Sequence, residues 1–287
     1  MSGTRALTSI LVSISIPTVR NSTHPSRWTS LQTIRIHFSE FQTAAIQVEA
    51  KLLEFESFES DDFRIDLEQL DQYLTQFKPK IFSLCNPNSP TGGYLGPEAI
   101  SGLATRHPYT LILLDESFLS LSIHHQAQDA KYPANVVRIV SLTKDYAIAG
   151  IRLGYALGSP ELLNKMKAEI PSWSVNALAQ KIGITLFDDK NFLDRSRHSI
   201  FRDKVLVEAS FRERSVRYIP GTTVFCMFKH PYKDLSQALL DDHKILIRSC
   251  DSYGLSQWYR IAIRPEIEMQ RFFKALDSVN EGLEERR

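Results

Sequence analysis

Short apolar segments that alternate with helix-like segments constrain the fold of this 287-residue chain more than any other feature. The segments are largely apolar throughout, which is typical of strands buried on both faces of a sheet. They are Lys80–Cys85, Thr110–Leu114, Val136–Ser141 and Arg152–Gly158. Between the earlier ones, Asp66–Phe77 and Pro97–Arg106 have the spacing of helices. The alternation predicts an α/β fold with a mostly parallel sheet between helices.

The pattern changes after Pro160 and before Phe38. A long helical region is followed by short alternating segments and a final helix from Pro265, which predicts a smaller α+β domain. We therefore divide the chain into a large domain over residues 38–187 and a small C-terminal domain over 188–287. Residues 1–37 are rich in Ser, Thr and Arg and lack both helical and strand periods, so they are interpreted as an aberrant or truncated segment.

Polar residues gather where three of the predicted strands end, at Asn86–Gly92, Asp115 and Ser141–Lys144. In sheets of this kind, ligands bind at the carboxyl ends of the strands. The serine and threonine hydroxyls, with Arg152 eight residues after the lysine, suit a phosphate group. The lysine amine can form a Schiff base with a carbonyl carbon, and an aspartate opposite can keep a pyridine nitrogen protonated.

Three motifs follow one another along the chain. They are N-P-N-S-P-T-G from Asn86, D-E-S-F from Asp115, and S-L-T-K-D-Y-A-I-A-G-I-R-L-G-Y from Ser141. They resemble the signature segments of class I/II aminotransferases, the fold type I enzymes that depend on pyridoxal 5'-phosphate (PLP). P-S-W-S-V-N-A-L-A-Q from Pro171 resembles the histidinol-phosphate aminotransferase branch. Within it, the pattern is most similar to threonine-phosphate decarboxylases of cobalamin biosynthesis. The resemblance covers Phe38 to the C-terminus.

The resemblance implies a role for each matching residue. Lys144 would be the catalytic residue that binds PLP covalently, and Asp115 would pair with the pyridine nitrogen. Other cofactor contacts would come from the phosphate-site and ring-site residues Ser141, Thr143, Arg152, Ser89, Asn88 and Phe38. Arg260 would grip the substrate carboxylate, and Arg248 would bind substrate phosphate or serve structure alone. The substrate would be a small amino acid or amino phosphate, and the enzyme would be a homodimer.

Several positions depart from the family pattern. Ser89 stands where the family has an asparagine before Pro-Thr-Gly, although Asn86 or Asn88 could compensate. Phe118 offers no phenol, Thr223-Val224-Phe225 replaces an A-N-F pattern, and the region before Phe38 lacks the small-residue turn that cradles phosphate. The resemblance also predicts a cis peptide at Ser89–Pro90.

Three functions stay open at this point. The resemblance favours decarboxylation of threonine phosphate, with transamination of a histidinol-phosphate-type substrate as the second reading. The third is a catalytically crippled remnant that keeps most of the fold, because the phosphate-cradling turn is missing.

Composition argues against other classes of protein, and several candidate site residues also have an interpretation without a function. A net charge of +1 argues against a nucleic-acid binder, and three cysteines without a C-x-x-C pair indicate neither zinc nor disulfides. This cysteine usage fits a reducing cytoplasm, which is the expected location. No apolar run reaches the length needed to span a membrane. Leu111–Glu116 resembles the acidic strand of P-loop ATPases, but no phosphate-loop glycine pattern accompanies it. Lys144 could instead be a surface lysine, Asp115 a helix cap, Phe38 a core residue, and Arg260 or Arg264 part of a surface ion pair.

Overall fold

The computed structural model describes residues 9–12, 30–34 and 40–284. The chain divides into two compact units. Up to Lys190 the chain belongs to the first unit, and from Asn191 onward to the second, with two exceptions. Pro90–Gly92 and Leu121–Ile123 belong to the second unit although they lie within the first part of the chain.

In the described part of the first unit, seven strands form one sheet in the order β1-β7-β6-β5-β4-β2-β3. The strands are β1 Ser9–Val12, β2 Ser30–Ile34, β3 Lys51–Phe55, β4 Ile81–Cys85, β5 Leu111–Asp115, β6 Val136–Val140 and β7 Gly154–Leu157. The pairs of β2 with β3, β2 with β4, β4 with β5, and β5 with β6 are parallel. Among the described strands, the antiparallel pairs are β1 with β7 and β6 with β7, so the predicted mostly parallel α/β sheet is confirmed.

Helices follow most of these strands along the chain, as the sequence pattern predicts. They are α1 Glu40–Gln47, α2 Leu67–Phe77, α3 Pro97–Arg106, α4 Leu142–Asp145, α5 Pro160–Glu169 and α6 Ala177–Thr185. Asp66 ends the preceding loop by accepting hydrogen bonds from the backbone of Glu68 and Gln69, which caps α2. The apolar faces of α2 and α3 pack on β4 and β5, with Leu70, Leu74, Leu103, Phe82 and Ile112 among the buried side chains.

The second unit is an α+β structure with its own core. Its elements are α7 Phe192–Glu213, β8 Tyr218–Ile219, β9 Phe225–Lys229, α8 Leu235–His243, β10 Arg248–Ser249, β11 Trp258–Ala262 and α9 Glu266–Glu284. The strands form an antiparallel sheet in the order β10-β11-β9-β8. Phe211 lies at the centre of an aromatic cluster, with its ring centroid 5.1 Å from those of Phe228 and Phe273.

The N-terminal segment departs from its sequence pattern. No period predicts structure before Ile36, yet β1 pairs with β7 and β2 lies between β3 and β4. Strand pairing depends on backbone hydrogen bonds to residues that are distant in the sequence, so a short strand needs no local period. The rest of residues 1–37 lies outside the described residues, so the interpretation of this segment as aberrant or truncated stays a prediction.

The cis-peptide prediction is wrong. The cis bond in this loop is Asn86–Pro87, and Ser89–Pro90 is not cis. Both are X–Pro bonds in one short loop, and local sequence does not decide which of two such bonds is cis.

Candidate active site

Three adjacent parallel strands bring the predicted polar residues to one edge of the sheet. Cys85 and Asp115 are register partners on β4 and β5, and Asp115 is in turn the partner of Ile139 on β6. The amide of Asn86 donates to the Asp115 carbonyl at 2.8 Å, so the loop after β4 begins beside Asp115. The strand β6 ends just before Ser141, which precedes α4 and Lys144.

Asp115 lies at this edge with 8% of its surface exposed. Its carboxylate accepts one hydrogen bond from the Ser117 amide at 2.9 Å and one from the Cys85 thiol at 3.3 Å. A thiol is a weak donor. Within residues 40–284 no cation forms an ion pair with this carboxylate. Asp115 thus caps a turn rather than an α-helix, and it retains the capacity to accept a strong hydrogen bond.

Lys144 is half-buried on α4, a single helical turn. Its ammonium lies 4.4 Å from the centroid of the Phe118 ring, a distance typical of a cation–π contact. Phe118 belongs to the turn that follows Asp115. Lys144 and Asp115 are therefore tied to the same stretch of chain, and the reading of Lys144 as a solvated surface residue does not fit this contact.

The predicted phosphate residues have different environments. Ser141 is buried, whereas Arg152 is exposed, has a positive φ of 58° and donates from its guanidinium to the Ala149 carbonyl at 3.3 Å. The Thr143 hydroxyl donates to the Leu153 carbonyl at 3.2 Å and accepts from the Leu153 amide at 3.3 Å. Thr143 therefore holds α4 against the chain before β7, and its role toward phosphate stays a prediction.

The loop after β4 offers two candidates for the ring-site contact. The Asn86 side chain donates to the Leu95 carbonyl and accepts from the Leu95 amide, both at 2.8 Å. Because both ends of this amide are engaged, Asn86 is a poor substitute for the family's asparagine. Asn88 and Ser89 are buried in the same loop and remain the candidates.

The two predicted substrate arginines lie in the second unit. Arg248 on β10 and Arg260 on β11 are register partners. Arg260 is half-buried, with its guanidinium 4.9 Å from the Phe225 ring centroid, and burial lowers its pKa. Arg248 is exposed and donates to the Ser252 hydroxyl at 3.1 Å. Arg264 forms a surface ion pair with Glu268 at 3.0 Å, which is the interpretation without a functional role.

The predicted ring-stacking residue Phe38 lies outside the described residues.

One buried ion pair was missed by the sequence analysis. Arg138 on β6 donates to the Glu116 carboxylate at 2.7 Å, and both side chains are almost fully buried. Burial raises the pKa of Glu116 to about 7, although Arg138 acts in the opposite direction. The available signal was a charged residue within the apolar segment Val136–Ser141, since such a residue requires a buried partner.

Comparison with known proteins decides the family. Residues 34–277 match the family model described as aminotransferase class I and II. The chain belongs to this family. Its matched region extends across both units, from the last residue of β2 into α9.

Two relatives illustrate the range of this family. A histidinol-phosphate aminotransferase from Symbiobacterium thermophilum is 31% identical over 203 residues, which are 69% of this chain and 56% of that protein. The solved L-threonine-O-3-phosphate decarboxylase from Porphyromonas gingivalis has a TM-score of 0.75 and 26% identity, covering 88% of this chain and 77% of that one. The chain spans less than two thirds of the length of the Symbiobacterium thermophilum protein and of another curated histidinol-phosphate aminotransferase that it matches.

A third relative bears on the fold and the cofactor. A histidinol-phosphate aminotransferase structure from Sinorhizobium meliloti, in complex with pyridoxal-5'-phosphate, has a TM-score of 0.78 and 22% identity over 90% of this chain and 72% of that one. The likeness supports the fold type I architecture. Pyridoxal 5'-phosphate is the cofactor of this family, and the residues at the sheet edge fit it. The buried Asp115 carboxylate could accept a hydrogen bond from a protonated ring nitrogen, and Lys144 carries an amine that could form the Schiff base.

Among the described residues, no helix is both long enough and apolar enough to cross a membrane. The same residues contain no cluster of histidine, cysteine or acidic side chains that could hold a metal ion.

Proposed function

We propose that this chain binds PLP through Lys144 and acts on a phosphorylated amino acid, with decarboxylation of threonine phosphate as its reaction. The observation that carries the proposal is the buried Asp115 carboxylate at the end of β5, beside the turn whose Phe118 ring contacts Lys144. A carboxylate at this depth is stabilised by a strong or charged donor. A protonated pyridine nitrogen is such a donor.

Different residues of the chain would have different roles toward the cofactor. When bound, PLP supplies an electron sink for the bonds of the substrate's Cα. Asp115 would hold the ring nitrogen in its protonated state, and Lys144 would hold the cofactor and then move protons. The buried Ser141 hydroxyl and the Arg152 guanidinium would bind the phosphate oxygens, with a geometry that lysine could not reproduce.

The choice of decarboxylation rests on substrate orientation. The Cα bond that breaks is the one held perpendicular to the cofactor ring, so the residues that grip the substrate decide the reaction. Arg260 and Arg248 are adjacent on paired strands and would bind a carboxylate and a phosphate on one small molecule. The pattern T-K-x-Y-A-I-x-G-[IL]-R-L-G-Y supports the decarboxylase reading, as does the relative from Porphyromonas gingivalis.

Cofactor binding is tested by colour. Purified protein given PLP is expected to show a visible absorbance band that Lys144→Ala abolishes. Lys165→Ala is the matched control, because Lys165 is an exposed lysine paired with Glu161 on α5. A wild-type protein that stays colourless with excess PLP would contradict the proposal.

Reaction type is tested by assaying threonine phosphate and histidinol phosphate in parallel, for release of carbon dioxide and for formation of a ketone. Carbon dioxide from threonine phosphate, lost in Arg260→Lys, is the expected result. Ketone formation alone would replace decarboxylation by transamination.

A crippled remnant is the alternative from another class. Phe118 and Ser89 support it, because neither provides the polar contact that the family pattern has at its position. Turnover of threonine phosphate at roughly 1 per second or faster, a rate typical of enzymes, would reject this alternative.

A further inference from the structure

The short helix α4 is attached on both sides of Lys144. Thr143 bonds to the backbone of Leu153, Lys144 contacts Phe118, and Asp145 accepts a hydrogen bond from the Ser120 hydroxyl at 2.8 Å. Three consecutive residues of one helical turn therefore make three different tertiary contacts. Two of them reach the same chain segment, residues 115–120, which begins with Asp115.

The Ser120–Asp145 contact is deeply buried. Ser120 is 1% exposed and Asp145 is 5% exposed. Placing a carboxylate in the interior is costly unless hydrogen bonds compensate for the lost water. The charge of Asp145 also acts on Tyr155. The pKa of Tyr155 is raised to about 12, mainly by burial and secondly by the Asp145 carboxylate. A buried carboxylate directly after the cofactor lysine is thus a specific feature of this site.

We propose that Asp145 is a positioning residue for Lys144, acting through its hydrogen bond with Ser120. This bond joins α4 to the segment that carries Asp115 and Phe118, and so fixes where the Lys144 side chain begins. The importance of Lys144 to the cofactor rests on the proposed function, but the positioning itself does not.

The physical reason lies in how short α4 is. A four-residue helix has few backbone hydrogen bonds; here they include Lys144 to Ser141 at 3.2 Å and Tyr146 to Leu142 at 3.1 Å. Lysine has a long, flexible side chain. Without the Asp145 anchor, α4 keeps the Thr143 hydrogen bond and the core packing of Leu142 but loses its hydrogen bond to residues 115–120, so the turn can shift relative to that segment. A small rotation would carry the ammonium away from the Phe118 ring.

The first measurement uses the PLP-free protein. With ¹³C-labelled lysine, the ε-methylene signal of Lys144 is expected to be displaced upfield by the ring current of Phe118, and Lys144→Met assigns it. Ser120→Ala and Asp145→Ala should abolish most of this displacement. Asp145→Asn should retain it, because the amide oxygen still accepts from Ser120.

Ser83→Ala is the matched control. Ser83 is a fully buried serine on β4 whose hydroxyl has no hydrogen-bond partner among the described residues. Ser83→Ala deletes a buried hydroxyl of the same unit and leaves the hydrogen bond between Ser120 and Asp145 in place. Any effect that Ser120→Ala shares with Ser83→Ala is therefore a general effect of losing a buried hydroxyl.

The second measurement is the equilibrium constant for PLP capture, followed by the visible band. We expect capture to weaken about tenfold in Ser120→Ala and in Asp145→Ala, as for loss of one charge-assisted hydrogen bond. The double variant should be no weaker than either single one, because both changes remove the same interaction.

The outcomes separate the two proposals. An unchanged Lys144 signal in Ser120→Ala and Asp145→Ala overturns the positioning role, even if the melting temperature falls. Loss of the displaced signal in a protein that never captures PLP upholds the positioning role and rejects the cofactor proposal. Loss of both signal and capture, with rescue by Asp145→Asn, supports both.

Discussion

At the scale of single residues, the ion pair between Glu116 and Arg138 shows how the sheet tolerates charge. Arg138 also donates to the carbonyls of Gln128 at 2.9 Å and Ala130 at 3.2 Å, and its guanidinium lies 5.4 Å from the Tyr132 ring centroid. One buried cation thus fixes both the residue after Asp115 and the short 3₁₀ turn His125–Asp129. Burial nevertheless dominates at Glu116, whose pKa rises to about 7.

We predict that the free energy of unfolding depends on pH because of Glu116. The raised pKa of Glu116 means that the folded chain binds a proton that the unfolded chain has released between about pH 4.5 and 7. The resulting contribution to the free energy of unfolding, at most about 3 kcal/mol, is complete below about pH 4.5 and is lost as the pH rises to about 7. Urea unfolding at pH 5 and pH 7.5 should show this loss in the wild type and not in Glu116→Gln. Identical pH dependence in the two proteins would show that Glu116 stays ionised.

At the scale of elements, two turns of the second unit interlock through glycines. Gly92 has a φ of 70° and Gly221 a φ of 61°. The Thr222 amide and hydroxyl both donate to the Gly92 carbonyl, at 2.9 and 2.8 Å. Lys204, buried on α7, donates to the carbonyls of Pro220 and Thr223 and so holds the other side of the second turn. Close packing against the turn at Gly221 therefore explains why a glycine occupies position 92, the last residue of S-P-T-G.

We predict that Gly92→Ala destabilises the protein by roughly 2–4 kcal/mol, from left-handed strain and overpacking together. An added Cβ at Gly92 would lie 2.5 Å from the Gly221 Cα, and backbone cannot yield as a flexible side chain does. Gly282→Ala on α9 is the control, because its Cβ would meet nothing within 4 Å. That change should stabilise by about 0.5–1 kcal/mol. Chemical denaturation of both variants measures the difference, and equal stability of Gly92→Ala and wild type would contradict the interlock.

At the scale of the whole molecule, one segment of the first unit exposes large apolar side chains. Trp173 is 96% exposed, and Leu178, Ile184 and Phe187 are each more than half exposed. Apolar surface concentrated in this way usually marks an interface. It supports the proposal of a homodimer, whose second copy would cover residues 173–187.

We predict a mass of twice 32.8 kDa by light scattering at micromolar concentration. Leu178→Glu combined with Ile184→Glu should yield monomers, because two buried charges would face the partner. Ile267→Glu is the control, since Ile267 is 77% exposed but lies on α9 in the second unit. A monomeric wild type, or a dimer that survives the double change, would place the interface elsewhere.

The sequence by itself determined what depends on local pattern and on residue chemistry. Apolar segments and helix spacing predicted β4, β5, β6, α2 and α3 to within a residue or so. A strand buried on both faces is apolar throughout, and a helix buried on one face has apolar residues at helical spacing, so both patterns are visible in the sequence. The same pattern placed Asp115 and Lys144 at strand ends, and the motifs around them indicated the family.

Tertiary structure alone decided the contacts between distant residues. The strands β1 and β2 form by pairing with partners far along the chain, and neither carries a period of its own. Ser120 and Asp145 are 25 residues apart, and Glu116 and Arg138 are 22 apart. Local sequence does not encode which buried polar groups will meet, because that depends on how parallel strands and their connections stack side chains in space. The surroundings of Lys144 were therefore decided by the fold, whereas the prediction that Lys144 binds the cofactor came from the sequence.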